Sequence, residues 1–131
     1  MKMAVVGTGF VGVVTAAVFA KFGHTVYGLD IDPAKIESLN KGKVPFFEPG
    51  LEELLLAGLH ANNLHFTTSY QEATADADIS IIAVGTPSSP EGKADTSYVY
   101  SAIDALAPFL HDGSIVVIKS TVPPGILSTI R

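Results

Sequence analysis

A glycine-rich turn near the N-terminus constrains the fold of this chain more than any other feature. Gly7, Gly9 and Gly12 follow directly on the mostly apolar segment Lys2–Val6 and open a second apolar segment that ends at Phe22. A short apolar run of this kind is typical of a strand buried on both faces. A G-x-G-x-x-G pattern between a strand and a helix predicts the phosphate-binding turn of a dinucleotide-binding βαβ unit. The alternative is a turn whose glycines serve structure alone.

The rest of the chain alternates between predicted strands and predicted helices. Further strands are predicted at His24–Leu29, Leu64–Thr67, Ile79–Val84 and Ser114–Lys119. Helices are predicted at Phe10–Phe22, Pro33–Asn40, Tyr70–Ala75 and Ser97–Phe109, with a last one from Pro123. A further helix is predicted from Leu51, because Leu51, Leu54, Leu55 and Leu59 fall on one helical face. Asp32 is predicted to cap the helix that begins at Pro33.

This alternation predicts an α/β fold with a doubly wound parallel sheet of the Rossmann type. Helices should cover both faces of the sheet, and the expected strand order is 3-2-1-4-5. A complete fold of this type has six strands, so we expect this one to be truncated before the sixth strand. The fifth strand is apolar at Ile115–Ile118, as in a strand covered on both faces. We therefore expect an open strand edge with adjacent apolar surface there.

Composition excludes several classes of function. The 131 residues suit a single domain, and the net charge of −5 does not suit a nucleic-acid partner. The chain has no cysteine, which excludes disulfides, thiolate metal sites and a cysteine nucleophile within it. The four histidines lack the spacing of metal ligands, so no metal site is expected. Glycines interrupt the apolar N-terminus, so we expect no targeting signal, no membrane segment and a cytoplasmic protein.

Each glycine of the turn has a physical role in this interpretation. Gly7 makes the tight turn, Gly9 lets the backbone approach a pyrophosphate, and Gly12 lets the helix pack closely on the strand. The helix begins at Phe10, and the unpaired N–H groups of its first turn are expected to face the phosphates.

Asp30 is the candidate specificity residue, because it ends the strand that follows the glycine turn. A carboxylate there can accept hydrogen bonds from the adenosine ribose and repel the 2′-phosphate of NADP, so the expected cofactor is NAD. Asp32 could compete for this role, but a helix cap explains it better. Lys35 lies in the first turn of the next helix, where a ligand phosphate or ribose would explain it, although a solvated surface position is the alternative.

Two later strands also end in polar turns. Val84 and Thr86 follow the fourth strand, and Ser120 and Thr121 follow the fifth. Ligands of open α/β sheets bind at the carboxyl ends of the strands, where the strand order reverses. These residues are therefore expected to face a cofactor or substrate, with turn or helix capping as the alternative for the two threonines.

Four segments resemble the UDP-glucose/GDP-mannose dehydrogenase family. They are GTGFVG at 7–12, DIDPAKIESLNKGKVPFFEPGLEELL at 30–55, VGTP at 84–87 and KSTVPPG at 119–125. The resemblance implies two successive NAD-dependent oxidations at carbon 6 of a nucleotide sugar, with UDP-glucose as the first candidate. GDP-mannose and UDP-N-acetylmannosamine remain alternatives. A non-catalytic NAD-binding module also remains, whereas the EPGLEELL and KSTVPPG segments argue against another dehydrogenase of this fold, such as a hydroxyacid dehydrogenase.

The resemblance also implies roles for individual residues. Val11 would contact the pyrophosphate through its backbone, Asp30 and Lys35 would lie at the adenosine ribose, Thr86 would lie against the cofactor, and Thr121 would be an auxiliary catalytic residue beside the nicotinamide. The catalytic cysteine of the family lies in a later domain. Residues 1–131 are therefore expected to be an NAD-binding Rossmann domain, incomplete at its C-terminus and inactive alone, without the central and UDP-sugar-binding domains. The full-length protein is expected to form a homodimer or a higher homo-oligomer.

Overall fold

Five parallel strands form one sheet in the computed structural model, which describes residues 1–88, 90–93, 95–120 and 125. The strands are β1 (Lys2–Val6), β2 (Thr25–Leu29), β3 (Leu64–Thr67), β4 (Ile79–Ile82) and β5 (Ile115–Ile118). Their order is β3-β2-β1-β4-β5, and every neighbouring pair is parallel. The predicted fold class and strand order are confirmed.

Helices cover both faces of this sheet. They are α1 (Phe10–Lys21), α2 (Pro33–Asn40), α3 (Leu51–His60), α4 (Tyr70–Thr74) and α5 (Ser97–Leu106), with a 3₁₀ turn at Ala107–Phe109 after α5. The first three pack on one face through buried side chains such as Val13, Leu39 and Leu55. The last two pack on the opposite face through Ala73 and Val99. No helix in the described ranges is long and apolar enough to cross a membrane.

Local sequence explains where several of these elements begin and end. The Asp32 carboxylate accepts a hydrogen bond from the Ala34 amide at 3.0 Å, so the predicted cap of α2 is confirmed. The helix predicted at Ser97–Phe109 is shorter in the structure, because α5 ends at Leu106 and the 3₁₀ turn that contains Pro108 follows it. The strand predicted to reach Val84 ends at Ile82. The helix predicted from Pro123 lies outside the described residues.

Strand β5 carries exposed apolar side chains. Its apolar pattern is typical of a strand covered on both faces, yet Ile115 is 55% exposed and Val117 is 39% exposed. Within the described residues β5 pairs with β4 alone, so it forms an edge of the sheet. The expectation of apolar surface beside this edge is confirmed.

Candidate cofactor-binding site

A cavity of about 810 Å³ lies at the carboxyl ends of the strands. It is centred on β1, where the chain order of the sheet reverses, which is the usual ligand position in an open α/β sheet. Its volume is within the range of ligand and cofactor sites. We call it the carboxyl-edge cavity. It is lined by Val6, Gly7, Thr8, Gly9, Phe10, Val11, Leu29, Asp30, Ile31, Lys35, Tyr70, Ala83, Val84, Gly85, Thr86, Tyr98, Ser101, Ala102, Ala105, Lys119 and Ser120.

The three glycines of the turn meet three different surroundings. Gly7 has a φ of 106°, and a Cβ on it would lie 2.6 Å from the Ala83 carbonyl oxygen, so this position requires glycine. A Cβ on Gly12 would overlap the carbonyl group of Gly7, so α1 can lie this close to β1 only without a side chain there. Around Gly9 a Cβ would meet nothing within 4 Å. The backbone at Gly9 is therefore open toward the cavity, which Gly9 lines.

The first turn of α1 begins at this open space without a capping side chain. Gly9 is the N-cap residue, and the first turn contains no acidic side chain. The first N–H groups of a helix have no partner inside the helix and carry a partial positive charge. Anionic groups such as phosphates bind at such ends. The start of α1 therefore fits the pyrophosphate of a dinucleotide.

Asp30 lies directly after β2 and faces the same cavity. Its Oδ2 accepts hydrogen bonds from the Thr8 amide at 3.1 Å and the Thr8 hydroxyl at 2.6 Å. Its Oδ1 accepts from the Asp32 amide at 3.1 Å. The Lys35 ammonium lies 3.7 Å from Oδ2, and the Asp30 side chain is 13% exposed. The carboxylate is thus held by donors on one side and opens to the cavity on the other.

The surroundings of Asp30 keep it ionised at neutral pH. Burial raises its pKa, but hydrogen bonds from the Thr8 hydroxyl, the Asp32 amide and the Thr8 amide, together with the charge of Lys35, lower it by more. The pKa of Asp30 therefore lies below its ordinary value of 3.8. An ionised carboxylate in this place accepts hydrogen bonds from hydroxyl groups and repels a phosphate.

The opposite wall of the cavity is built by the ends of β4 and β5. The Ser120 hydroxyl donates to the Val84 carbonyl at 2.8 Å, and the Ser120 amide donates to the Ile82 carbonyl at 3.2 Å. Ser120 therefore ties the two strand ends together. Thr86 is half-buried at the same wall. Thr121 lies outside the described residues.

Most of the residues predicted from the sequence to bind the cofactor line this cavity. Those that line it are Gly7, Gly9, Phe10, Val11, Asp30, Lys35, Val84, Thr86 and Ser120. Gly12 is buried behind the turn and does not line it. In the described part of the chain, no group of three or more His, Cys, Asp or Glu residues is arranged to hold a metal ion.

Sequence reasoning missed Thr8, Tyr70, Tyr98 and Ser101, which also line the cavity. Thr8 carries no signal beyond being polar between two glycines. Tyr70 could have been found, because it begins a helix directly after β3 and therefore lies at the carboxyl edge. Burial and the charge of Asp30 raise the pKa of the Tyr70 phenol above its ordinary value of 10.0.

The fold and this cavity together define a dinucleotide-binding domain of the dehydrogenase class. The strand order, the glycine turn at the start of α1 and the acid after β2 are its three marks. Residues 1–131 match the NAD binding domain of the UDP-glucose/GDP-mannose dehydrogenase family, and the chain belongs to that family.

Named relatives agree with this assignment. The chain is 46% identical over 126 residues to the UDP-glucose 6-dehydrogenase of Rhizobium meliloti (strain 1021), covering 95% of this chain and 29% of that protein. A solved UDP-glucose dehydrogenase from Pyrobaculum islandicum superimposes with a TM-score of 0.88 at 45% identity, covering 95% of this chain and 29% of that one. GDP-mannose dehydrogenase from Pseudomonas aeruginosa gives a TM-score of 0.93 at 38% identity, covering 99% and 30%. The chain therefore spans less than a third of the length of these relatives.

Proposed function

We propose that the carboxyl-edge cavity binds NAD with the pyrophosphate at the start of α1 and the adenosine ribose at Asp30. The observation that carries this proposal is the juxtaposition of an uncapped helix start with an ionised, 13% exposed carboxylate in one cavity. The helix start favours an anion, and the carboxylate favours hydroxyl donors over a 2′-phosphate. This combination suits NAD and disfavours NADP.

The other residues divide along the length of the cavity in this proposal. Gly9 leaves room for the pyrophosphate, and the amides of Phe10 and Val11 donate to it. Lys35 lies at the ribose beside Asp30. The cofactor supplies a hydride acceptor when bound. The nicotinamide half lies against Val84, Thr86, Ser120 and Thr121 in this proposal. Thr121 is an auxiliary catalytic residue. Gly7 and Gly12 shape the turn.

For the whole protein we propose oxidation of a nucleotide sugar at carbon 6, with UDP-glucose as the substrate and UDP-glucuronate as the product. The names of the relatives with the higher identities support UDP-glucose. GDP-mannose is the second candidate because a GDP-mannose dehydrogenase superimposes closely, and UDP-N-acetylmannosamine is a third. Residues 1–131 contain no cysteine, so any thiol that reacts with the sugar belongs to another part of the protein. We propose that this chain is the cofactor-binding part of such an enzyme.

The experiment that tests this function is a substrate comparison in the protein as its gene encodes it. NADH formation would be followed by absorbance with UDP-glucose, GDP-mannose and UDP-N-acetylmannosamine, each with NAD and with NADP. We expect turnover with UDP-glucose and NAD, at two NADH per sugar. Preference for another sugar would correct the substrate. NAD binding without turnover of any sugar would favour a non-catalytic NAD-binding module.

A further inference from the structure

Thr8 directs two hydrogen-bond donors at a single oxygen of Asp30. Its amide and its hydroxyl both donate to Oδ2, at 3.1 and 2.6 Å. Thr8 itself is 2% exposed, so water does not compete for these bonds. A carboxylate oxygen offers about two acceptor positions. Thr8 therefore fills both positions of Oδ2.

The other oxygen of Asp30 keeps one position for a ligand. Oδ1 accepts a single hydrogen bond within the protein, from the Asp32 amide at 3.1 Å. The Lys35 ammonium is 3.7 Å from Oδ2, which is beyond hydrogen-bonding distance and leaves Oδ1 unblocked. A ribose with two neighbouring hydroxyl groups would thus meet a carboxylate that can accept from only one of them.

We propose that Thr8 is a positioning and specificity-determining residue of the cofactor site. It holds Oδ2 so that Oδ1 alone accepts from one ribose hydroxyl, and it prevents the carboxylate from turning away from a 2′-phosphate. This inference rests on the proposed placement of the adenosine ribose at Asp30. It adds that the hydroxyl of Thr8, rather than its bulk, fixes the acceptor.

The alternative is that Thr8 only fills space beneath the turn. Valine has nearly the same shape as threonine and keeps the backbone amide, but it removes the hydroxyl donor. Serine keeps the hydroxyl and removes the methyl group. If Thr8 acts through its hydroxyl, Thr8→Val is the damaging change and Thr8→Ser is the matched control. If Thr8 acts through its shape, the order is reversed.

Cofactor analogues test the proposal in the unmodified protein as its gene encodes it. Affinities would be measured by calorimetry for NAD and for analogues that lack either the 2′- or the 3′-hydroxyl of the adenosine ribose. The same measurements in Lys35→Ala remove the other group that the proposed function places at the ribose. In Lys35→Ala we expect one analogue to bind about tenfold more weakly than NAD, as for loss of one charge-assisted hydrogen bond, and the other to bind nearly as well as NAD. Equal losses for both analogues in Lys35→Ala would overturn the single-acceptor arrangement.

The Thr8 variants then test the hydroxyl. In Thr8→Val we expect NAD to bind about tenfold more weakly and the preference for NAD over NADP to shrink, because the carboxylate is free to turn. The low-pH limit of NAD binding should move upward, since the hydroxyl no longer favours the charged form of Asp30. Among the described residues, the Lys35 ammonium from α2 and the Tyr70 phenol from α4 interact with the charge of Asp30, and the Asp32 carboxylate caps α2; both variants keep all three. Thr8→Ser should match the unmodified protein in all three measurements.

Failure of this inference is distinguishable from failure of the proposed site. If Asp30→Asn loses NAD affinity while Thr8→Val binds like the unmodified protein, the site stands and the role of Thr8 is wrong. If Asp30→Asn binds NAD normally, the placement of the ribose is wrong. Should Thr8→Val fail to fold, the analogue comparison and a ¹³C NMR titration of Asp30 in the unmodified and Thr8→Ser proteins decide the matter. An Asp30 pKa at its ordinary value in both would overturn the proposal.

Discussion

Gly12 on α1 lies directly against Gly7, the residue that follows β1, and a Cβ atom on Gly12 would overlap the Gly7 carbonyl group. The obstacle is backbone rather than the flexible end of a side chain. The helix therefore cannot accommodate a methyl group without moving away from the sheet. Because the start of α1 forms one wall of the carboxyl-edge cavity, this contact links the stability of the fold to the shape of the site.

Gly12→Ala should therefore reduce both stability and cofactor binding. Overpacking in a rigid setting costs typically 1–3 kcal/mol, and we expect roughly the upper end because backbone must shift. The measurements are chemical denaturation and NAD affinity by calorimetry. An unchanged free energy of unfolding in this variant would mean that the Gly7 carbonyl group can move aside at little cost.

Gly9→Val should separate binding from stability. A Cβ atom at Gly9 would meet nothing within 4 Å, and the backbone there is extended, with φ −74° and ψ −169°, which a β-branched residue can adopt. We expect a folded protein with an unfolding free energy close to that of the unmodified chain and with NAD binding lost, because the side chain occupies the space of the pyrophosphate. Normal NAD affinity in this variant would place the phosphates elsewhere. Gly12→Ala is the contrasting variant, since it should lose both properties.

Asp30→Asn should weaken NAD binding and reduce the discrimination against NADP. The amide group of asparagine must face a donor, either from Thr8 or from Asp32, so the side chain also loses a hydrogen bond inside the protein. A charge-assisted hydrogen bond contributes about 1.5–3 kcal/mol, so NAD affinity should fall at least about tenfold. Affinities for both cofactors would be compared by calorimetry. Comparable NAD and NADP affinities in the unmodified protein would contradict the role of Asp30.

Much of the fold follows from the sequence, because β1 and β3 were predicted with the observed bounds and the order of all five strands follows from strand–helix alternation. The hydrophobic patterning and the glycine turns are sufficient to predict these strands and their order.

The contacts within the cofactor site are harder to predict from the sequence. Nothing in a G-T-G pattern says that Thr8 turns both of its donors toward a residue at the end of another strand, since only the packed sheet brings the two together. The exposure of β5 follows from the strand count rather than from its own residues, because an apolar sequence does not reveal what covers it.

The stability of the folded chain should decline in acid partly through Asp30. Its pKa is lowered by folding, so its contribution to stability is complete above the ordinary value of 3.8 and is lost as the pH falls from there through the lower value of the folded state. Melting temperatures measured between about pH 2.5 and 6 should show a shallower acid slope for Asp30→Asn than for the unmodified protein. Identical slopes would contradict the stabilised carboxylate.

His111 should produce the opposite dependence on pH. Its Nε2 lies 3.1 Å from the Ala77 carbonyl and its Nδ1 lies 3.0 Å from the Asp112 carbonyl, and both partners can only accept. The bond to the Asp112 carbonyl, the bond to Ala77 and the nearby Asp76 and Asp78 raise the pKa of His111 above its ordinary value of 6.5, against a smaller opposing effect of desolvation.

The contribution of His111 to stability should therefore be complete below pH 6.5 and lost as the pH rises through the raised pKa. Thermal unfolding between about pH 5 and 9 would compare the unmodified protein with His111→Gln, which carries no titrating group. The variant should lose the decline on the alkaline side. A decline of equal size in both proteins would assign it to other groups.

The register between β1 and β2 sets the distance between the glycine turn and Asp30. Val6 pairs with Leu29, and the Gly7 amide continues the ladder to the Leu29 carbonyl at 2.7 Å, so Thr8 and Asp30 leave the sheet side by side. A slip of one residue would displace Asp30 by about 3.3 Å along the strand and point it to the other face. The distance between Thr8 and Asp30 is therefore set by the pairing of β1 with β2 and not by the number of residues that lie between them in the chain.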